Sequence, residues 1–400
     1  MSEHIRACGQ VREWCVPVDG VNTLGNPVKQ TIVISAVNLT EMGTLSILKD
    51  CLSYMVAELS HKFEIIALVN SKGLVDLPGV HYYEFPAIKR SWLRRVYYEY
   101  FGFRGLSKKL KAFLWFSLYD MSANVVAERR AVYCHNPAPF YPLKFKEVFV
   151  DLKFALFNLF YIYLYGINIR SNDFVIVQQD WIRKEFSRRF ANLNIVVSQP
   201  HVGGQNGSGP SREASVSSGA SKIFFYPAYP RMHKNMEVIG GAVELLLGRG
   251  ISGFTVYLTM TGTESRYAKK IVSRFGHLKQ IQFVGLLTRQ QVYEHYQSAD
   301  CLVFPSKLET WGLPITEFRQ FNKPMLVANC RYAQETIGDY EKAALFDPDD
   351  PVSLADQMER ALLGKLEFET RRVVPIDPPF CQSWGELFSI LLAERGSSCT

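Results

Sequence analysis

Short apolar runs alternate with amphipathic stretches along most of this chain, a rhythm that predicts strands and helices in turn. Thr31 to Val37 (TIVISAV) reads as a strand. Leu45, Leu48, Leu52, Met55, Val56 and Leu59 then fall three and four apart on one helical face, and Phe63 to Val69 (FEIIALV) reads as the next strand. Ala131 to Cys134, Phe174 to Gln178 and Asn194 to Ser198 read as later strands of the same sheet. Gly203 to Ser221 breaks the rhythm, because five Gly and six Ser in 19 residues cannot bury enough apolar surface to offset their ordering entropy. Beyond it the alternation restarts. Strands are expected at Lys222 to Tyr226, Phe254 to Met260, Ile281 to Val284, Cys301 to Pro305 and Met325 to Ala328, with helices at Glu237 to Leu247, Ser265 to Phe275, Arg289 to Ser298 and Pro351 to Leu363. Ser383 to Glu394 reads as a closing amphipathic helix. Such alternation with short loops predicts an α/β fold with parallel, doubly wound sheets. The expected divisions are 1–202, a linker at 203–221, 222–371, and a tail at 372–400.

The stretch Ser306 to Ala328 (SKLETWGLPITEFRQFNKPMLVA) carries the densest chemistry. A strand ends at Pro305, a loop holds Glu309, Trp311 and Gly312, and a helix starts near Pro314 and carries Glu317. Doubly wound sheets bind ligands outside the carboxyl ends of their strands. Proline suits the first helical turn, and the N–H groups of Gly312 and Leu313 at the helix start suit a phosphate. Glu309 and Glu317, eight positions apart, cannot share a helical face, but they can bracket a ligand at the helix N-terminus, since carboxylates accept hydrogen bonds from diols. A nucleotide-sugar pocket is the expectation.

Composition adds limits. At 400 residues the chain fits two domains, and 48% hydrophobic with 21% charged residues is ordinary for a globular protein. Eight cysteines are scattered without CxxC pairs or Cys/His clusters, which suggests neither zinc nor a disulfide framework and points to a reducing, cytoplasmic compartment. The N-terminus lacks the pattern of a signal peptide. The uncharged stretch FALFNLFYIYLYGINI, 16 residues between Lys153 and Arg170, falls short of the roughly 20 needed to span a bilayer and reads as a buried helix running into a strand. The net charge of +7 is uneven. From Phe85 to Ala191 there are 18 Lys and Arg against 8 Asp and Glu, interleaved with aromatics as in Lys89 to Tyr98. That pattern suits an anionic membrane surface, with a solvated basic face as the alternative. No recognisable binding module accompanies it, so nucleic acid is not an expected partner. Asp347-Pro348-Asp349-Asp350 superficially offers a metal motif, but its place before a helix reads as N-capping, and no metal is expected.

Glu309-Thr310-Trp311-Gly312-Leu313-Pro314-Ile315-Thr316-Glu317-Phe318 resembles the E-G-F-G-L-P-x-x-E-A signature of retaining glycosyltransferases of family 4, with Thr310 and Trp311 departing from Gly-Phe. The resemblance runs from about Lys222 to Leu363. It implies a GT-B architecture, two facing Rossmann-like domains with the acceptor side first and the donor side second, and a tail helix packing back on the first domain. It also implies that Glu309 faces the donor sugar and Glu317 the nucleotide ribose, with Trp311, Gly312 and Leu313 lining the same pocket. Lys234, in Tyr226 to Asn235 (YPAYPRMHKN), matches a lysine that holds the donor diphosphate. The family's usual arginine position is Tyr229 here, which leaves Arg231 as its candidate substitute. Gly262 and Gly285 match glycine turns that line the nucleotide pocket. In the first half Gly43 matches one of a Gly-Gly pair, and His135 matches a histidine that touches the donor sugar, with a strand-end histidine as the alternative.

The expected function is therefore retaining, metal-independent transfer of a sugar from a nucleoside diphosphate sugar to a glycan or lipid-linked acceptor, without a resident cofactor, as in surface polysaccharide or lipopolysaccharide synthesis. Peripheral contact with the cytoplasmic membrane face is part of that expectation. A non-catalytic nucleotide-sugar-binding protein and a nucleotide-sugar epimerase of the same architecture stay open. No G-x-G-x-x-G follows the first strand of either half, which counts against a dehydrogenase.

Overall fold

The computed structural model describes residues 29–40, 42–141, 152–200, 221–369, 373 and 375–394, and of 42, 43 and 152–154 the backbone only. The Gly/Ser-rich segment through residue 220 lies outside the described residues.

Two parallel sheets form. The first contains β1 (Gln30–Ala36), β2 (Phe63–Val69), β3 (Val80–Glu84), β4 (Leu114–Ser117), β5 (Arg129–Cys134), β6 (Phe174–Val177) and β7 (Ile195–Ser198). The second contains β8 (Lys222–Tyr226), β9 (Phe254–Leu258), β10 (Ile281–Phe283), β11 (Cys301–Phe304), β12 (Met325–Ala328) and β13 (Ala343–Phe346). A last strand, β14 (Phe380–Cys381), returns to pair with β7. The orders are β14-β7-β6-β5-β4-β1-β2-β3 and β10-β9-β8-β11-β12-β13. Each central strand is apolar on both faces, as a parallel sheet covered by helices requires. Strands β3 and β4 were not expected from the sequence. Phe116 and Ser117 in β4 pair with Ile34 and Ser35 in the middle of the sheet.

Side-chain alternation sorts the first sheet into two faces. Ile32, Ile34, Phe116 and Tyr133 point one way, onto α1 (Met42–Glu58) and the tail helix α12 (Trp384–Leu392). The tail thus rests on the first sheet, where Phe388 stacks on Tyr54. Val33, Trp115, Val132 and Val175 point the other way. That second face is covered by α2 (Trp92–Tyr97), a π-helical turn (Tyr98–Gly102), α3 (Phe103–Leu110), α4 (Leu152–Gly166) and α5 (Asp180–Arg189). Helix α4 is not the buried helix its composition suggests. Ala155, Asn158, Tyr161 and Tyr165 are buried, while Leu159, Phe160 and Tyr163 are exposed.

The second sheet is flanked by α6 (Met236–Gly248), α7 (Arg266–Phe275), α8 (Arg289–Ser298), α9 (Leu313–Arg319), α10 (Arg331–Ile337) and α11 (Pro351–Leu362). Asp350 caps α11 by accepting from Val352 and Ser353 N–H, the role expected for that acidic run. Among the described residues no helix is long and apolar enough to cross a membrane.

Candidate functional site

Lys234 owes its position to a loop laced onto the neighbouring strand. After β8 the chain makes a 3₁₀ turn, Met232–Lys234, closed by Asn235 in the left-handed conformation. The Asn235 amide donates to the Pro305 and Pro348 carbonyls at 3.1 and 2.8 Å. Lys307 N–H donates to the His233 carbonyl at 2.8 Å, and Tyr226, fully buried, donates to the Lys234 carbonyl and shares a 2.7 Å hydrogen bond with Ser306. These contacts draw the loop after β8 and the loop after β11 together. Lys234 Nζ then meets Glu309 Oε1 at 2.5 Å, with both side chains mostly but not fully buried. Two residues 75 apart in sequence thus form one ion pair.

Gly312 caps the start of α9 with φ of 93°, which an L side chain rarely adopts. Glu317, one turn in, accepts from Tyr296 Oη at 3.1 Å and lies 4.0 Å from Arg289. Burial pushes its carboxyl up, against the pull of Arg289 and the Tyr296 hydroxyl. Neither Arg289 nor Tyr296 was singled out in the sequence, since they lie on α8, across from α9 in space.

The glycine turns behave less uniformly. Gly262 and Gly285 both take positive φ, 101° and 78°. At the first, Thr261 and Gly262 N–H donate to Glu264 at 2.7 and 2.9 Å. Although partial burial raises the Glu264 carboxyl, these bonds and that from the Thr261 hydroxyl hold it below its usual range. This turn's amides are therefore engaged by the protein's own carboxylate. Arg231 stands just before the Lys234 turn, exposed, with its guanidinium 5.6 Å from the Tyr229 ring.

On the first sheet, His135, expected to face the cleft or else to cap a strand end, follows β5 and is 8% exposed. Its Nε2 lies 3.0 Å from the Leu118 carbonyl and its Nδ1 3.2 Å from the Gln178 amide. That pairing fits a neutral ring protonated at Nε2. Burial pushes its imidazole down to about 4, against the pull of Asp120 and the Leu118 carbonyl. Asp120, buried and itself at positive φ, accepts from His135 and Asn136 N–H and from the Tyr161 and Tyr165 hydroxyls. Gly43 lies in the first turn of α1.

The two sheets meet through side chains that the sequence did not mark. Glu335 on α10 accepts from Asp180 and Trp181 N–H at 2.8 and 3.0 Å, capping α5 from across the junction. Gln179 donates to the Tyr332 carbonyl and Thr336 hydroxyl. Leu308, beside Glu309, packs against Ala138 and Tyr141. Trp311 is buried: its indole donates to Thr316 at 2.8 Å, and its carbonyl accepts from Thr336. The indole thus ties the loop to α9, and the Trp311 carbonyl ties it to α10. A cavity of about 1120 Å³ opens at this junction, lined by Trp311, Arg319, Arg331 and Glu335 among others. Lys234, Glu309 and Glu317 do not line it, so it is not their ligand space. Among the described residues no three His, Cys, Asp or Glu side chains converge on a metal-sized site.

Residues 210–374 match the family model described as glycosyl transferases group 1. No curated protein sequence matches the chain. Solved structures do. Sucrose-phosphate synthase from Thermosynechococcus elongatus aligns at TM-score 0.58 and 14% identity over 84% of this chain and 90% of that one. WaaG, a glycosyltransferase involved in lipopolysaccharide biosynthesis, aligns at 0.58 and 13% over 83% and 90%. Anabaena HepE, in complex with UDP and glucose, aligns at 0.53 and 12% over 83% and 90%. At these identities the likeness is one of fold, and that fold is GT-B.

Proposed function

We propose that this chain, whose residues 210–374 match the family model of glycosyl transferases group 1, is a glycosyltransferase that moves a sugar, with retention at the anomeric carbon, from a nucleoside diphosphate sugar to a glycan or lipid-linked acceptor. The observation that carries this reading is the Lys234–Glu309 pair at 2.5 Å. An ammonium held by one replaceable carboxylate is a ready site for a diphosphate. The incoming phosphates take over the lysine, and Glu309 is released to accept hydrogen bonds from sugar hydroxyls. In the transition state Lys234 offsets the charge that builds on the departing diphosphate, an electrostatic contribution that is often the largest in such chemistry. Glu317, oriented by Tyr296 and Arg289, accepts from the ribose hydroxyls. Gly312 and Leu313, at the start of the seven-residue α9, add backbone donors beside Lys234. Gly285 and Gly262 shape the wall by their backbone turns. Arg231 takes the outer phosphate in this reading, and Trp311 shapes the pocket floor through α9.

Surface polysaccharide synthesis is the proposed setting, supported by the fold shared with WaaG, and the basic segment Lys89 to Lys111 supports peripheral contact with an anionic membrane on the cytoplasmic side. The testing experiment is a thermal-shift panel of UDP, GDP, ADP and CMP sugars, starting with UDP-glucose in view of the HepE complex. A donor at a hundred times its Kd should raise stability by about 2.7 kcal/mol. No shift with any nucleotide sugar would sink the assignment.

A further inference from the structure

Large apolar side chains stand exposed in two places on one side of the first sheet. On α2 and its π-helical turn, Leu93, Tyr97 and Phe101 follow one another at four-residue spacing and are 74%, 59% and 68% exposed. On α4, Leu159, Phe160 and Tyr163 are 59%, 55% and 69% exposed. Residues exposed at helical spacing form a continuous ridge, and an uncovered apolar ridge of this size marks an interaction surface.

The two ridges belong together. Both helices cover the same face of the first sheet, α2 and α3 through Trp115 and Phe103, and α4 through Val132 and Val175. They also reach adjoining residues of one loop. Tyr161, on the inner side of α4, donates to Asp120 at 2.8 Å, and the buried Arg95 guanidinium of α2 donates to the Tyr119 carbonyl at 3.2 Å. With their inner sides fixed at Tyr119 and Asp120, the helices turn their outer sides to solvent side by side. The surrounding charge has one sign: from Phe85 to Lys111 there are eight Lys and Arg and one acidic residue, Glu99, which is buried. Arg90, Arg94 and Lys108 are exposed around the α2 ridge, whereas α4 has no charged residue after Lys153 at its start.

We propose that α2 with its π-helical turn and α4 form a single two-helix platform that docks on an anionic lipid bilayer, the apolar ridge of α4 entering the headgroup boundary while the basic residues of α2 hold lipid phosphates. Aromatic rings and basic side chains sharing one surface complement such an interface, whereas a protein partner would not require the one-sided charge. This deepens the membrane contact in the functional reading above and assigns it a second element, α4, whose exposed ridge carries no basic residue. It places the acceptor side of the enzyme against the membrane.

The test is co-sedimentation of the full chain with phosphatidylglycerol or phosphatidylcholine vesicles at low and high salt. The wild type should bind phosphatidylglycerol vesicles at low salt, and high salt or phosphatidylcholine should weaken binding at least tenfold. Combined Leu159→Ser, Phe160→Ser and Tyr163→Ser should lower the bound fraction at least tenfold, as should Arg90→Glu with Arg94→Glu. Single Tyr163→Gln, chosen to spare the fold, should lower it severalfold. Wild-type binding by the α4 variants would overturn the two-helix platform. No binding of the wild type to anionic vesicles would overturn the membrane assignment altogether. A dimer in sedimentation velocity that the same variants convert to monomer would assign the face to a second copy of the chain instead. In every variant the nucleotide-sugar thermal shift should persist, so loss of vesicle binding is distinguishable from failure of the sugar-transfer reading.

Discussion

The carboxyl ends of the two sheets use their polar groups in opposite ways. Beyond the second sheet, Lys234 and Glu309 hold each other through one contact that a ligand can replace, and Glu317 is steadied by Tyr296 at 3.1 Å and more distantly by Arg289. Beyond the first sheet, Asp120 takes four hydrogen bonds, and both nitrogens of His135 are engaged. A charge with one exchangeable partner can be reassigned to a substrate. A buried group whose bonds are all internal can be reassigned only by leaving its donors or acceptors unpaired, at about 1–3 kcal/mol each. In the proposed reading the second sheet supplies the charge chemistry, while the first turns apolar and basic side chains outward on α2 and α4.

Substitutions can break or sharpen this contrast. Lys234→Ala should lower turnover by about a hundredfold or more, read as release of free nucleoside diphosphate, with little change in melting temperature. If turnover stayed near normal, the second sheet would lose its claim to the chemistry. His135 should show its effect in stability instead. Its folded-state pKa of about 4 lies below the ordinary 6.5 because of burial, so the unfolded chain binds the extra proton between those values. Stability should therefore rise as pH climbs from about 4 to 6.5, by on the order of 3 kcal/mol from this group, and this group's contribution should level off below about 4, where both states bind the proton. In His135→Gln, denaturant titrations across that window should lose this component of the slope. An unchanged slope would show that the ring is not held neutral as the structure has it.

Glu317→Gln should raise KM for the donor about tenfold, some 1.4 kcal/mol, while kcat changes less, because it removes a hydroxyl acceptor and not the leaving-group charge. A fall in kcat without a change in KM would move Glu317 into the chemical step. The smallest effect is expected at the junction. Glu335→Ala leaves two N–H groups of α5 without their carboxylate and should cost about 1–2 kcal/mol, visible as a lower melting temperature. If the melting temperature held, the junction would not depend on this cap.

Much of the second domain was legible in the chain. Its strands alternate with helices at short spacing, and Gly312-Leu313-Pro314 announces a helix start that only a few residue types satisfy. The first domain was harder. Leu114–Ser117 is four residues long and follows a run of lysines, so nothing in its period separates it from the basic segment before it, although it lies in the middle of the sheet. The apolar run of α4 could not reveal which side faces water, because a helix apolar on every side has no directional period. His135 was legible as a strand-end histidine near the junction, but its engagement depends on Leu118 and Gln178, which reach it from the loops after the neighbouring strands β4 and β6.

By itself the sequence determined the elements whose signals are local: the parallel α/β alternation and the Gly312 turn. Only the tertiary structure decided which groups meet. The Lys234–Glu309 pair spans 75 positions, the Glu335 cap on α5 spans about 155, and the platform joins helices on either side of β4 and β5. Such contacts depend on strand order and on which way each side chain leaves its strand, and chain-local periodicity carries neither.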